Sequence, residues 1–235
     1  MKTVFVALLG LWLAAVSVSA QAGIALGRTR VVFAGGETSR PLKLSNDGED
    51  VYLVQAGVRT WDGQKADDTF RVQPPLFRLE ARGNNLLRVT YSGKPLPQDR
   101  ESVFRLELNA IPSGAPDAGG EALRGRVAAS LGVGIKLFYR PKGLPSSPDG
   151  AWGSLTFSRQ AGQLVVKNPS PFYLTLAELS VGTKGVAFGS GGPEQMIAPF
   201  GQVSYPLAVP AGAPVAWTVI SDYGGLSTPQ KGRVE

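Results

Sequence analysis

The chain of 235 residues contains no cysteine and no histidine. Without cysteine there are no disulfides and no thiolate chemistry, so each folded unit is held by its apolar core alone. Without histidine the commonest general base, the commonest metal ligand and the side chain that titrates near neutral pH are all missing. No Ser-His or Cys-His nucleophile pair can be built, no Cys/His zinc spacing can occur, and no G-x-x-x-x-G-K-[ST] phosphate loop is present. These absences argue against an enzyme and against a bound metal or cofactor. Adjacent carboxylates such as Asp67-Asp68 and Glu49-Asp50 leave a glycosidase formally open, although acids in Gly- and Asp-rich turns are ordinarily just solvated. Trp61, Trp152 and Trp217 suit either a sugar-stacking platform or, more commonly, buried sandwich positions.

Long apolar runs are equally scarce. After Met1-Lys2 an uncharged stretch from Thr3 to Val18 leads into Ala20-Gln21-Ala22. This is too short for a membrane span and reads as a secretory signal peptide over residues 1–22, with Ala20 as the alternative cleavage site. No later segment is apolar enough to insert into a membrane. The remaining roughly 210 residues suit two domains of about 100 residues each. The formal net charge of +6 falls by one with Lys2, and the basic residues are scattered rather than gathered, which gives no nucleic-acid footprint.

What the chain does have is turn residues, with 30 glycines and 18 prolines separating β-branched and aromatic runs. That composition predicts an all-β protein with almost no helix. Strands are expected at Thr29–Phe33, Pro41–Leu44, Val51–Val58, through Leu76 to Thr90, at Val103–Leu108, and in a long run from Arg126 to Tyr139. Pro141 to Gly150 has linker composition. Strand-like runs resume at Leu155–Phe157, Leu164–Val166, Tyr173–Leu176, Val203–Tyr205 and Trp217–Ile220. The expected division is a first domain over 23–142, a linker over 143–150 and a second domain over 151–235.

In Val127 to Ile135 every odd position is apolar and every even one is small. Val127, Ala129, Leu131, Val133 and Ile135 therefore share one face of a strand. The pattern alone fits a strand facing its own core. Gly132 and Gly134, on the opposite face, mark either a close approach or a bulge.

Several segments resemble the PapD-like pilus-assembly chaperones of the chaperone-usher pathway. The fullest is Leu96 to Phe104 running on to Leu108-Asn109-Ala110-Ile111-Pro112. It is joined in order by Arg28 to Phe33, by Pro74-Pro75 with Arg78-Leu79, and by Ile135 to Pro141. Asn168 to Tyr173 and Ile220 to Gly225 complete the set. The resemblance implies two immunoglobulin-like β-sandwich domains in an L-shaped arrangement, in a periplasmic protein that caps pilus subunits and delivers them to an outer-membrane usher. It implies that the strand carrying Val127, Ala129, Leu131, Val133 and Ile135 lies at a sheet edge and completes a subunit that lacks a strand. It implies that Arg30 and Lys136 anchor the subunit's C-terminal carboxylate, and that Glu101, Arg140 and Asp222 form an interdomain charge network. The residues by themselves leave all five as ordinary surface charges.

The chain departs from the family at Glu80-Ala81-Arg82-Gly83, where a proline-glycine turn is usual, and lacks the C-terminal cysteine pair of some members. Ser113 to Gly125 resembles the short-loop branch. The exposed strand also offers a route to self-association. A secreted adhesin or pilus subunit, and a carbohydrate-binding module, remain the alternatives. A subunit would need an N-terminal donor extension, for which Gly23 to Gly27 is too short.

Overall fold

The computed structural model describes residues 23–113, 130–188 and 195–235. The elements of the first half are β1 (Ile24–Leu26), β2 (Arg30–Ala34), β3 (Ser39–Asn46), β4 (Tyr52–Thr60), β5 (Phe70–Gln73), β6 (Leu76–Leu79), β7 (Asn84–Tyr91), β8 (Ser102–Pro112) and β9 (Leu131–Arg140). They form two facing sheets, one ordered β1-β3-β7-β5 and one ordered β2-β9-β8-β4-β6. Alternation decides which face is buried. In β4 the even-numbered Tyr52, Val54, Ala56 and Val58 are buried, as are Phe104, Leu106, Leu108 and Ala110 of β8. They meet Leu42, Leu44, Phe70, Leu87 and Val89 from the opposite sheet in one core, as two inner faces of period two must.

The second half opens with a single helical turn, α1 (Pro148–Ala151), in which the Ser147 hydroxyl caps the Gly150 amide at 3.1 Å and proline occupies a first-turn position. There follow β10 (Thr156–Gln160), β11 (Gln163–Lys167), β12 (Leu174–Val181), β13 (Lys184–Gly185), β14 (Met196–Ile197), β15 (Gln202–Tyr205), β16 (Pro214–Val219) and β17 (Gln230–Arg233). These build a sheet ordered β10-β11-β15 against one ordered β13-β12-β16-β17, with β14 also on β12. Their core is separate from the first, and includes Phe157, Leu164, Phe172, Leu176 and Trp217. Among the described residues no helix is long and apolar enough to cross a membrane.

One expectation changes. The run from Leu76 to Thr90 is not one strand, because the chain turns at Glu80–Gly83 with Arg82 at φ 52°. β6 and β7 thereby fall in opposite sheets. The tryptophans do not gather: Trp217 is buried with its indole N–H donated to the Trp152 carbonyl at 2.8 Å, while Trp61 lies in the other domain. The acidic pairs are surface groups, Asp68 meeting Lys94 at 2.6 Å and Glu49 meeting Arg82.

Candidate functional site

β9 outruns β2, one of the two strands beside it. On one side it pairs antiparallel with β8 along its whole length, from Leu131 opposite Ala110 to Tyr139 opposite Ser102. On the other side β2 runs parallel to it, but begins only at Arg30 opposite Lys136. Residues 131–135 therefore present a free strand edge among the described residues. Of the expected donor-strand face, Val127 and Ala129 lie outside the described residues. Ile135 is buried in the first core, whereas Leu131 and Val133 are half-buried. The odd-numbered face is thus a core face at its C-terminal end and partly open at its start.

Neither glycine on the other face marks a bulge, and only Gly134 is closely approached, by a side chain rather than by backbone. The β8–β9 register runs without a shift past both. A Cβ on Gly134 would lie 2.7 Å from Arg105 Nε, and one on Gly132 would lie 3.5 Å from Asn109 Oδ1.

Where β2 begins, two cations stand side by side. Arg30 is buried, and its Nη1 donates to the Ile220 carbonyl at 3.0 Å. Its Nε is the sole buried side-chain nitrogen or oxygen among the described residues with no hydrogen-bond partner. Lys136 Nζ donates to Thr175 Oγ1 at 3.1 Å and stands 5.5 Å from the centre of the Trp61 ring. Among the described residues neither cation has a carboxylate within ion-pair distance. Burial, and then the neighbouring Arg30 charge, push the Lys136 ammonium down to about 8. Burial also pulls the Arg30 guanidinium below its usual value, despite the opposing pull of Asp222 and Glu101. Buried cations so placed are poised to take an anion.

The nearby carboxylates are committed elsewhere. Arg140 Nε meets Glu101 Oε1 at 2.6 Å, while its Nη1 and Nη2 take Asp222 Oδ2 and Oδ1 at 2.7 and 2.9 Å. The guanidinium stands 5.4 Å from the centre of the Phe172 ring. Glu101 is buried, its other oxygen accepts the Tyr173 amide at 2.8 Å, and its own amide donates to the Pro171 carbonyl at 2.9 Å. Burial pushes its carboxyl above the usual range, outweighing Arg140 and the Tyr173 amide, which pull it down. Burial alone would lower Arg140, but the hydrogen bonds and charges of Asp222 and Glu101 hold it above its ordinary value. Glu101 and Arg140 belong to the first domain and Asp222 to the second. The structure thus brings together all three residues expected in the network.

Pattern reading did not single out the supports of this cleft. Asn168, fully buried, donates to the carbonyls of Phe172, Ile197 and Ala198 at 2.7, 3.3 and 3.0 Å and accepts the Ser170 amide at 3.0 Å. It therefore shapes the loop whose Pro171 and Tyr173 hold Glu101. An asparagine followed by Pro-Ser-Pro is a local turn signal that identifies such a hub only once its partners are known. Away from the cleft, Leu53 and Ile111 form a cross-strand pair on the outer sheet face at 41 % and 47 % exposure, and Leu76, opposite Gln55, is 57 % exposed.

An uncovered strand edge ending at two cations that lack a carboxylate suits a protein that adds an extended segment of another chain to its own sheet. Residues 23–145 match the family described as pili and flagellar-assembly chaperone, PapD N-terminal domain, and residues 150–231 match the pili assembly chaperone PapD, C-terminal domain. The chain belongs to this family of pilus-assembly chaperones. It is 36 % identical to the chaperone protein FimC of Escherichia coli K12 over 218 residues, covering 92 % of this chain and 86 % of that one. It is 35 % identical to the E. coli chaperone DraB, with a TM-score of 0.77 over 90 % of this chain and 96 % of that one. A structure of Salmonella enterica SafA pilin in complex with the SafB chaperone is similar at 32 % identity and a TM-score of 0.76, covering 89 % of this chain and 95 % of the matched one.

Proposed function

We propose that the protein captures pilus subunits in the periplasm by donating the free half of β9 to an incomplete subunit sandwich, and then passes them to an outer-membrane usher. Residues 1–22 are the signal that takes it there, and residues 143–150 link the two domains. The observation that carries this reading is the buried Arg30 Nε without a partner. A buried guanidinium donor left unpaired is costly, and a chain-terminal carboxylate arriving at Arg30 and Lys136 supplies charge-assisted hydrogen bonds to both.

Main-chain pairing along 131–135 gives the complex its affinity, and the apolar face gives it register, since a one-residue slip turns that face away. Each side chain fully buried contributes about 1.5–3 kcal/mol. Leu131 and Val133 contribute less because they are already half-buried. In this arrangement Ile135 anchors that face to the chaperone's own core. Glu101, Arg140 and Asp222 keep the domains at the spacing the cleft requires. Without a subunit, the same strand edge is open to a second copy of the chain.

Co-expression with the subunits encoded beside its gene tests the reading. A subunit is expected to co-purify with the chaperone at moderate salt. Absence of any such complex would overturn the proposal that these residues capture a subunit. The state of Lys136 adds a pH dependence. Because its ammonium loses its proton at about pH 8 in the free protein, carboxylate binding must restore that proton above this pH. Affinity is therefore expected to fall by up to about tenfold per pH unit above that point. Titration calorimetry in buffers of differing ionisation enthalpy reads the proton uptake, and a flat affinity across the window would remove Lys136 from the anchor.

A further inference from the structure

Glu101 and Asp222 cannot neutralise Arg30 and Lys136. Arg140 holds both oxygens of Asp222 and one of Glu101, and the other Glu101 oxygen accepts the Tyr173 amide. Neither carboxylate can turn to the two cations without breaking the network between the domains.

The surroundings of the two cations are largely apolar. The Arg30 guanidinium stands 6.0 Å from the centre of the Phe138 ring, which lies 5.8 Å from the Tyr173 ring of the second domain. Arg30 is only 8 % exposed, and with Nη1 on the Ile220 carbonyl its Nε still lacks an acceptor. On the neighbouring strand Lys136 has three N–H donors, of which Thr175 Oγ1 takes one. Thr175 is buried, and its hydroxyl, having accepted from the ammonium, keeps its own proton to donate. The side of entry is the ammonium end, where Lys136 and Trp61 are half-buried.

These unspent donors call for an anion with more than one acceptor atom. A carboxylate presents two oxygens in one plane, one for each cation, whereas chloride offers a single centre. Phosphate would bring a second charge, which the rings of Phe138 and Trp61 do not help to desolvate. A free monocarboxylate supplies the same group as a chain end. It binds more weakly, because it brings neither strand pairing nor an apolar face with it.

We propose that the free protein binds a small monocarboxylate at Arg30 and Lys136, and that a subunit displaces this ion when it docks its own chain end. This rests on the anchor assigned above and adds a competing ligand to it. The ion satisfies the buried donors between captures, and it makes capture sensitive to the small carboxylates around the protein.

Acetate is the probe, titrated into the full mature chaperone at neutral pH beside chloride and inorganic phosphate at matched ionic strength. Acetate should raise the Tm along a saturable curve, by about 3–6 °C at ten times the fitted dissociation constant. Chloride should not do so, and the rise should vanish in Lys136→Met and in Arg30→Ala. At the same acetate concentration a synthetic peptide of alternating apolar pattern with a free carboxyl end should lose about tenfold in affinity. The same peptide amidated at its C-terminus should be unaffected. If acetate acts no differently from chloride, if phosphate alone acts, or if the rise survives in both variants, the carboxylate site is refuted while subunit capture stands. A rise that is lost in both variants but leaves binding of the free-acid peptide unchanged overturns the exchange, and with it the anchor assigned above.

Discussion

Arg140→Ala is expected to cost the protein about 3–5 kcal/mol of stability, because it strands a buried carboxylate. Glu101 has only 2 % of its side chain exposed, so water cannot replace the lost guanidinium. Asp222, at 35 %, can turn to solvent and should contribute little of the loss. The Tyr173 amide still hydrogen-bonds Glu101 at 2.8 Å, which sets a ceiling on the damage. Burial already holds the Glu101 carboxyl above its ordinary value, and removing Arg140 raises it further. A carboxyl whose folded-state value is raised binds its proton more tightly in the folded than in the unfolded protein. Its contribution is most favourable below the unfolded value, and is lost as pH rises through the folded one. The deficit of Arg140→Ala should therefore be largest at neutral pH and shrink on acidification. Urea denaturation across this range measures it. Glu101→Gln in the Arg140→Ala background should recover most of the loss. A loss below about 1 kcal/mol, of the size usual for exposed ion pairs, would mean the network is a surface feature and does not hold the domains.

The strands of this protein were legible in its sequence wherever alternation ran for several residues, as in β4 and β8, since period two and burial are the same fact seen twice. β5 escaped because it is only four residues long, although Phe70 and Val72 alternate with Arg71 and Gln73 and are buried. The passage from β6 to β7 was read as one run because the left-handed residue of its turn is Arg82 rather than a glycine. The site was far less legible. Arg30 and Lys136 are neighbours only because β2 lies parallel to β9, and no local pattern encodes a pairing between segments so distant in the chain. Family resemblance supplied those positions, as it did Glu101, Arg140 and Asp222.

Lys136→Met separates function from stability most sharply, because the two should move in opposite directions. Among the described residues Lys136 has no carboxylate partner and one hydroxyl acceptor, and it sits beside the charge of Arg30. Its ammonium therefore opposes folding, which is what its descent from 10.5 to about 8 expresses. Between these values the unfolded chain holds the proton and the folded one does not, so the stability of the parent protein should rise as pH increases through that window. Methionine keeps the stem's packing and removes the charge. The variant should be at least as stable as the parent at neutral pH and should lack that rise. Subunit capture should nevertheless drop by a factor of about thirty to several thousand, the range seen when one partner of a desolvated charge pair is removed. Arg30→Ala should lose capture as heavily. Thermal unfolding and co-purification, run on the same preparations, decide the matter. A Lys136→Met protein that is less stable than its parent would show the lysine to be structural, and one that still captures subunits would show that the carboxylate is held elsewhere.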